Sequence, residues 1–207
     1  MSGRQAQAAR NDGIIMQAAR DVFVADPHAP IAAVAARAGV GISALYRRYP
    51  SKEDLLRRLC RDGLVRYIAA AEAALADERD PWGAFAAFMA AIVEADTPSL
   101  TLKLAGTFTP DEDLYRESQR AEELNVKLFA RTQAAGALRP DLAVDDLGLL
   151  LQQLAAVRVT DPARTAALRR RYLALMLDAL RTPTPSPLPG PAPTWEEMQS
   201  VWSVPGP

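Results

Sequence analysis

At 207 residues, 49% of them hydrophobic, the chain is long enough for one sizeable core or for a small domain joined to a larger one. Its single cysteine, Cys60, excludes an intrachain disulfide and points to a reducing compartment, and no apolar run reaches the roughly 20 residues of a membrane-spanning helix, so no membrane contact and a cytoplasmic location are expected. The net charge of -1 conceals an asymmetry: residues 1–60 carry nine Lys and Arg against five Asp and Glu, a balance of +4 that leaves -5 for the remainder. A basic small domain on an acidic larger one suits a polyanion bound at one end.

The first ten residues are polar and read as a tail. Asp12 is a candidate N-cap for a first helix running to about Val24, with Ile14, Ile15, Ala18, Val22 and Phe23 apolar. Pro27 and Pro30 interrupt it, and His28 between them has no Cys or second His with which to hold a metal, so none is expected. The stretch IAAVAARAGVGISALYRRYPSK, Ile31 to Lys52, then reads as two short helices hinged at a glycine. Ile31, Val34, Ala35 and Ala38 recur at helical spacing, and Gly39 supplies a left-handed stop. Val40 and Leu45 can close a small core against Val34 and Ala35, which leaves Ile42, Ser43, Tyr46, Arg47 and Arg48 exposed on the second helix. Such a pair is a helix-turn-helix, and two arginines, a hydroxyl, a tyrosine and the following Lys52 are side chains that reach phosphates and base edges.

The run AARAGVGISALYRRYPSKEDLL resembles the N-terminal DNA-binding region of the TetR family of bacterial transcriptional regulators in its AGV turn, its LY pair, the aromatic near the end of the recognition helix and its SK-x-x-LL exit. The resemblance implies that Tyr46 and Lys52 contact phosphates and that Ile42, Ser43, Arg47 and Arg48 occupy positions able to read bases of a double-stranded operator. It also implies an N-terminal arm offering Arg4 and Arg10 to the minor groove; for Arg4 a solvated tail is the preferred reading. Pro30 departs from the family pattern, because a Thr or Ser usually opens this helix, and a proline can neither cap it nor meet a phosphate through a hydroxyl.

Beyond the motif, Ser51 with Asp54 makes a capping-box-like start for a long helix reaching about Ala76, whose Leu55, Leu56, Leu59, Leu64, Val65 and Ile68 would link two domains. Asp80-Pro81 opens a buried helix, WGAFAAFMAAIVEA; Thr97-Pro98 opens a short one from Ser99 to about Gly106, and Thr109-Pro110 a long one from Asp111 to Ala135. The last two helices, near 145–157 and 162–181, have apolar residues on two faces, a surplus that argues for a homodimer formed through them. From Thr182 the sequence turns proline-rich, and Thr194-Trp195-Glu196-Glu197 has capping-box spacing for a terminal helix carrying Trp195, Met198, Val201 and Trp202.

The expected fold is therefore all-α: a three-helix DNA-binding domain over 1–50, a helical ligand-binding and dimerisation domain over 51–181, and a tail over 182–207. Nothing suggests catalysis or a cofactor, for there is no Gly-rich phosphate loop, no HExxH and no paired cysteines. The resemblance implies an effector pocket enclosed by helices four to eight. Trp82, Phe85, Phe88, Met89, Phe108 and Tyr115 are its candidate lining, and Gln152 and Arg158 its polar candidates. The expected function is a repressor released from DNA by a small molecule; the alternative is a dimeric DNA-binding module without a ligand.

Overall fold

The computed structural model describes residues 3–104, 106–182 and 186–197, among which there are nine α-helices and no strand. They are α1 (Gly3–Ala25), α2 (Ile31–Ala38), α3 (Ile42–Arg48), α4 (Lys52–Ala76), α5 (Pro81–Glu94), α6 (Thr97–Leu104), α7 (Glu112–Ala134), α8 (Val144–Ala156) and α9 (Pro162–Leu180). Ser51, Asp80, Asp111 and Asp161 stand at N-caps and accept a backbone N–H from the turn they open, satisfying donors that have no partner within the helix. Pro81 and Pro162 occupy the first turn, where no N–H is required.

Two expected boundaries are corrected. Helix α1 starts at Gly3, not at Asp12, because GRQAQAARN has no proline and is dominated by good helix formers. Asp12 therefore lies within α1, and its carboxylate turns to α3. Helix α6 starts at Thr97 rather than Ser99, since the corner before it is made by Asp96 in a left-handed conformation, φ 53°. The side chains of Arg4 and Arg10 and the residues Met198, Val201 and Trp202 lie outside what the structure describes.

Two hydrophobic cores form. The first joins α1, α2, α3 and the start of α4 through Phe23, Val34, Leu45, Leu55 and Leu59, and it takes in Leu100 and Leu104 from α6. The second joins the end of α4 to α5, α7, α8 and α9 through Ala71, Phe85, Met89, Leu128 and Leu173. Helix α4 thus belongs to both, and both its ends are fastened. Near its start Glu53 accepts the Thr109 N–H at 3.0 Å and Arg61 pairs with Asp111 and Glu117 at 3.0 and 3.3 Å. At its end Arg131 of α7 donates to the carbonyls of Ala74 and Leu75, each at 2.9 Å, in the last helical turn, where Ala74 also accepts the Asp77 N–H at 3.3 Å.

The proline-rich tail is anchored to the α7–α8 loop. Arg139 forks onto Asp141 at 2.6 and 3.0 Å and donates to the Ser186 carbonyl at 2.7 Å, while the Leu188 N–H donates to Asp141 at 2.8 Å. Arg139, through these hydrogen bonds, holds the Asp141 carboxyl well below the usual range. From Ser186 the described chain is non-helical until Thr194, whose Oγ1 accepts the Glu197 N–H at 3.3 Å as the Glu197 carboxylate accepts the Thr194 N–H at 2.7 Å. That reciprocal pair is a capping box. Among the described residues no helix is long and apolar enough to cross a membrane.

Candidate nucleic-acid interface and effector cavity

The turn between α2 and α3 is made by Gly39 at φ 66°, a conformation that any Cβ would strain, with the Val40 N–H closing on the Ala35 carbonyl at 3.0 Å. Pro30 sits at the N-cap of α2 and makes no side-chain cap, as its ring dictates. Helix α3 has only seven residues and is too short to persist alone, so its orientation comes from packing. Leu45 is wholly buried in the first core, and Tyr49 is buried at the C-cap. Every other residue of α3 faces outward: Ile42 and Tyr46 are 40% and 46% exposed, and Ser43, Ala44, Arg47 and Arg48 are exposed as well.

The two arginines differ. Arg48 forms an ion pair with Asp12 of α1, to which the Tyr49 hydroxyl also donates at 2.7 Å. Burial works against the charge on Asp12, but the hydrogen bonds from Arg48 and Tyr49 outweigh it and hold the carboxyl below its usual range. Burial and then the bond to Asp12 push the Tyr49 phenol up to about 12. Arg48 is thereby a brace between α3 and α1. Among the described residues Arg47 makes no such contact, and it is exposed on the outward face of α3. Lys52 is half-buried, donating to the Pro27 carbonyl at 2.8 Å with its ammonium 5.2 Å from the centre of the Phe23 ring, so one of its three donors is engaged internally.

A cavity of about 1060 Å³ opens among α4, α5, α6, α7 and α8. Of the expected lining residues, Phe88, Met89, Phe108, Tyr115 and Gln152 border it. Trp82, Phe85 and Arg158 do not. Trp82 packs against Phe85 at 6.0 Å and under Arg181 at 5.2 Å, Phe85 is buried in the second core, and Arg158 is exposed beyond the end of α8. The remaining wall includes Cys60, Leu64 and Tyr67 of α4, Leu100 and Leu104 of α6, Glu122 of α7, Leu147 and Leu151 of α8, and Trp195 of the tail. Of the α4 residues Leu64 belongs to the apolar set read from the sequence, whereas Cys60 and Tyr67 do not, and nothing in the periodicity of the sequence brings Trp195 there.

The wall is apolar and aromatic with few polar groups. Tyr67 meets Phe88 edge-on at 5.2 Å, and burial raises its phenol pKa and pushes the Cys60 thiol up to about 12, which leaves that sulfur protonated and inert. Gln152 Nε2 is buried with no hydrogen-bond partner among the described residues. The charged residues on the wall are Glu122 and Glu123, both acidic; Glu123 leans on Arg120 at 3.7 Å, and Glu122 has its carboxyl raised by burial and then by Asp145.

An outward-facing recognition helix on a small basic domain, carried by a helical body around an apolar cavity, defines a helix-turn-helix DNA-binding regulator. Two family models match the chain: one for bacterial regulatory proteins of the tetR family over residues 15–59, the other for the C-terminal domain of SbtR-like transcriptional regulators over residues 80–182. Solved structures agree. A TetR transcriptional regulator from Streptomyces coelicolor is 28% identical with a TM-score of 0.57, covering 82% of this chain and 97% of its own. A TetR regulatory protein from Mycobacterium vanbaalenii is 29% identical with a TM-score of 0.54, covering 86% and 99%. The TetR-like regulator LfrR from Mycobacterium smegmatis, solved in complex with proflavine, shares the fold at 24% identity and a TM-score of 0.58, covering 80% and 95%. No curated relative matches the chain in sequence. The chain belongs to the TetR family of transcriptional regulators.

Proposed function

We propose that the protein is a cytoplasmic, homodimeric repressor that binds a near-palindromic operator through α3 and is released when a small molecule fills the body cavity. Arg47, Ser43 and Ile42 meet base edges, Tyr46 and the remaining donors of Lys52 meet phosphates, and Arg48 sets the angle of α3 from its seat on Asp12. The two heads enter major grooves with centres about 34–36 Å apart or a multiple of that. The second protomer docks on α8 and α9, where Tyr172 and Leu175 are 45% and 57% exposed along the outer face of α9. The head over 1–50, the body over 51–181 and the tail from 182 divide these tasks.

The observation that carries this reading is that Leu100 and Leu104 of α6 line the cavity and also belong to the core of the head. A molecule that displaces α6 acts on α1 and α4, against which α6 packs, and through them on the domain that carries the recognition helix. It needs only a higher affinity for the displaced arrangement than for the one that fits DNA. LfrR with its bound proflavine illustrates ligand binding on this fold. Here the wall favours a lipophilic molecule that is neutral or positively charged and offers an acceptor to Gln152. Selection of duplexes from random DNA is expected to return two inverted half-sites occupied by two chains, as read by sedimentation. Recovery of a single half-site bound by one chain rejects the dimeric reading.

A further inference from the structure

Among the described residues Arg20 is a buried cation with no counterion. It lies on α1, 9% exposed, and its Nη1 donates to the Ala95 carbonyl at the end of α5 at 2.5 Å. Its Nη2 is buried with no hydrogen-bond partner among those residues. Three carboxylates lie close enough to attract it, and each is engaged elsewhere: Asp96 with Arg169, Asp21 with Arg37 at 2.8 Å, and Asp62 with Arg58 at 3.0 Å. Burial and then repulsion from Arg66 hold its pKa below the ordinary value. Arg66 is exposed, donates to the Asp62 carbonyl at 3.1 Å, and has no carboxylate partner among the described residues. An ionised group so placed is strongly unfavourable unless an opposite charge joins it.

The space for that charge exists. A cleft of about 380 Å³ between α1 and α4 is bordered by Arg20, Arg58 and Arg66 together with Asp12 and Asp62. The two carboxylates are neutralised by their own partners, Asp12 by Arg48 and Asp62 by Arg58. We propose that this cleft binds a small tetrahedral oxyanion, of the charge and size of phosphate, between the guanidinium groups of Arg20 and Arg66. Planar guanidinium forks suit such an ion, which supplies the acceptor that Nη2 lacks and turns the repulsion between the two arginines into a bridge. Because Arg20 also holds the end of α5, an occupied cleft clamps α1, α4 and α5 together where head meets body. The oxyanion is either a free phosphate or a phosphate of the DNA backbone, and the test below separates the two.

The full chain is melted at constant ionic strength as chloride is exchanged for inorganic phosphate, for the wild type, Arg20→Met, Arg66→Gln and the distant control Arg164→Gln. Phosphate stabilises folded chains in general, so the readout is the difference between wild type and variant. At about ten times the dissociation constant, that specific difference amounts to about 3–6 °C. It is retained in Arg164→Gln, reduced in Arg66→Gln and absent in Arg20→Met, which in chloride melts no lower than wild type because Met fills the space without a charge. A phosphate response in Arg20→Met equal to that of wild type overturns the site, as does an undiminished response in Arg66→Gln should Arg20→Met not fold. The salt dependence of binding to random-sequence duplex identifies the source: an unchanged slope in the variant assigns the free ion, and a slope shallower by about one assigns the DNA backbone.

Discussion

In the head, Phe23, Leu45, Leu55 and Leu59 are wholly buried around a filled centre, and the residues proposed to meet DNA lie outside it on α3. In the body the arrangement is inverted: α4 to α8 surround about 1060 Å³ of open space, and the aromatic residues proposed to meet a ligand border it. A close-packed interior resists deformation, which a reading surface requires if Arg47 and Tyr46 are to hold a register on DNA. An unfilled interior has an alternative arrangement within reach, which a response to ligand requires. Helix α6 is where the two meet, with Leu100 and Leu104 in the wall of one and the core of the other.

The contrast is most easily broken by removing the same side chain from each region. Leu45→Ala leaves a new cavity in a filled core and is expected to lower unfolding stability by about 2–5 kcal/mol, whereas Leu151→Ala enlarges a space that is already open and is expected to lose only the transfer contribution, about 1–2 kcal/mol. Equal losses in denaturant titrations would erase the distinction. Next in size is the separation of the two arginines. Arg47→Ala is expected to cost about 1–3 kcal/mol of binding at one base pair with an unchanged melting temperature, while Arg48→Ala also lowers the melting temperature because Asp12 loses its partner.

The cavity is sharpened by an isosteric pair of probes. Tetraphenylphosphonium is expected to bind about tenfold more tightly than tetraphenylborate, since the wall holds aromatic faces and Glu122. Calorimetry with Glu122→Gln should shrink that ratio, and a preference for the borate would contradict the reading of the wall. The smallest effect expected is on pH. Glu122 and Asp145 have raised carboxyl pKa values, so their ionised forms oppose folding, and acidification from neutrality through those values relieves the body. Asp12 is depressed, so its contribution to the head is present above the ordinary value of 3.8 and fades as the pH falls below it. Melting curves should therefore improve slightly on mild acidification and worsen only below about 4, with Glu122→Gln reducing the first change, which Asp145 shares, and Asp12→Asn reducing the second, which Asp141 shares.

The head was legible in the sequence because its signals are local. Gly39 needs its left-handed turn, Leu45 alone on α3 must be buried, and the outward set from Ile42 to Arg48 follows from that register. What the register does not carry is the far end of a long side chain, so the turn of Arg48 toward Asp12 and of Lys52 toward Pro27 emerges only once α1 is seen to run through Asp12. In the body the caps at Ser51, Asp80 and Asp111 mark where helices start, yet they do not say how deep along α5 the cavity lies. Phe88 and Met89 face it, while Trp82 and Phe85, one to two turns earlier, are covered by other elements. The aromatic content of the tail suggests that it docks on the body, but the place where Trp195 meets the wall follows from the Arg139–Asp141 anchor, a contact between distant segments.

The account depends above all on the outward face of α3 being the surface that reads DNA. Fluorescence anisotropy of an operator recovered by selection, titrated with the wild type and with the Tyr46→Ala, Arg47→Ala double variant, tests this directly. Both side chains are exposed, so the variant is expected to melt with the wild type and to bind the operator at least about thirtyfold more weakly. Equal affinities for a variant that remains folded would contradict it.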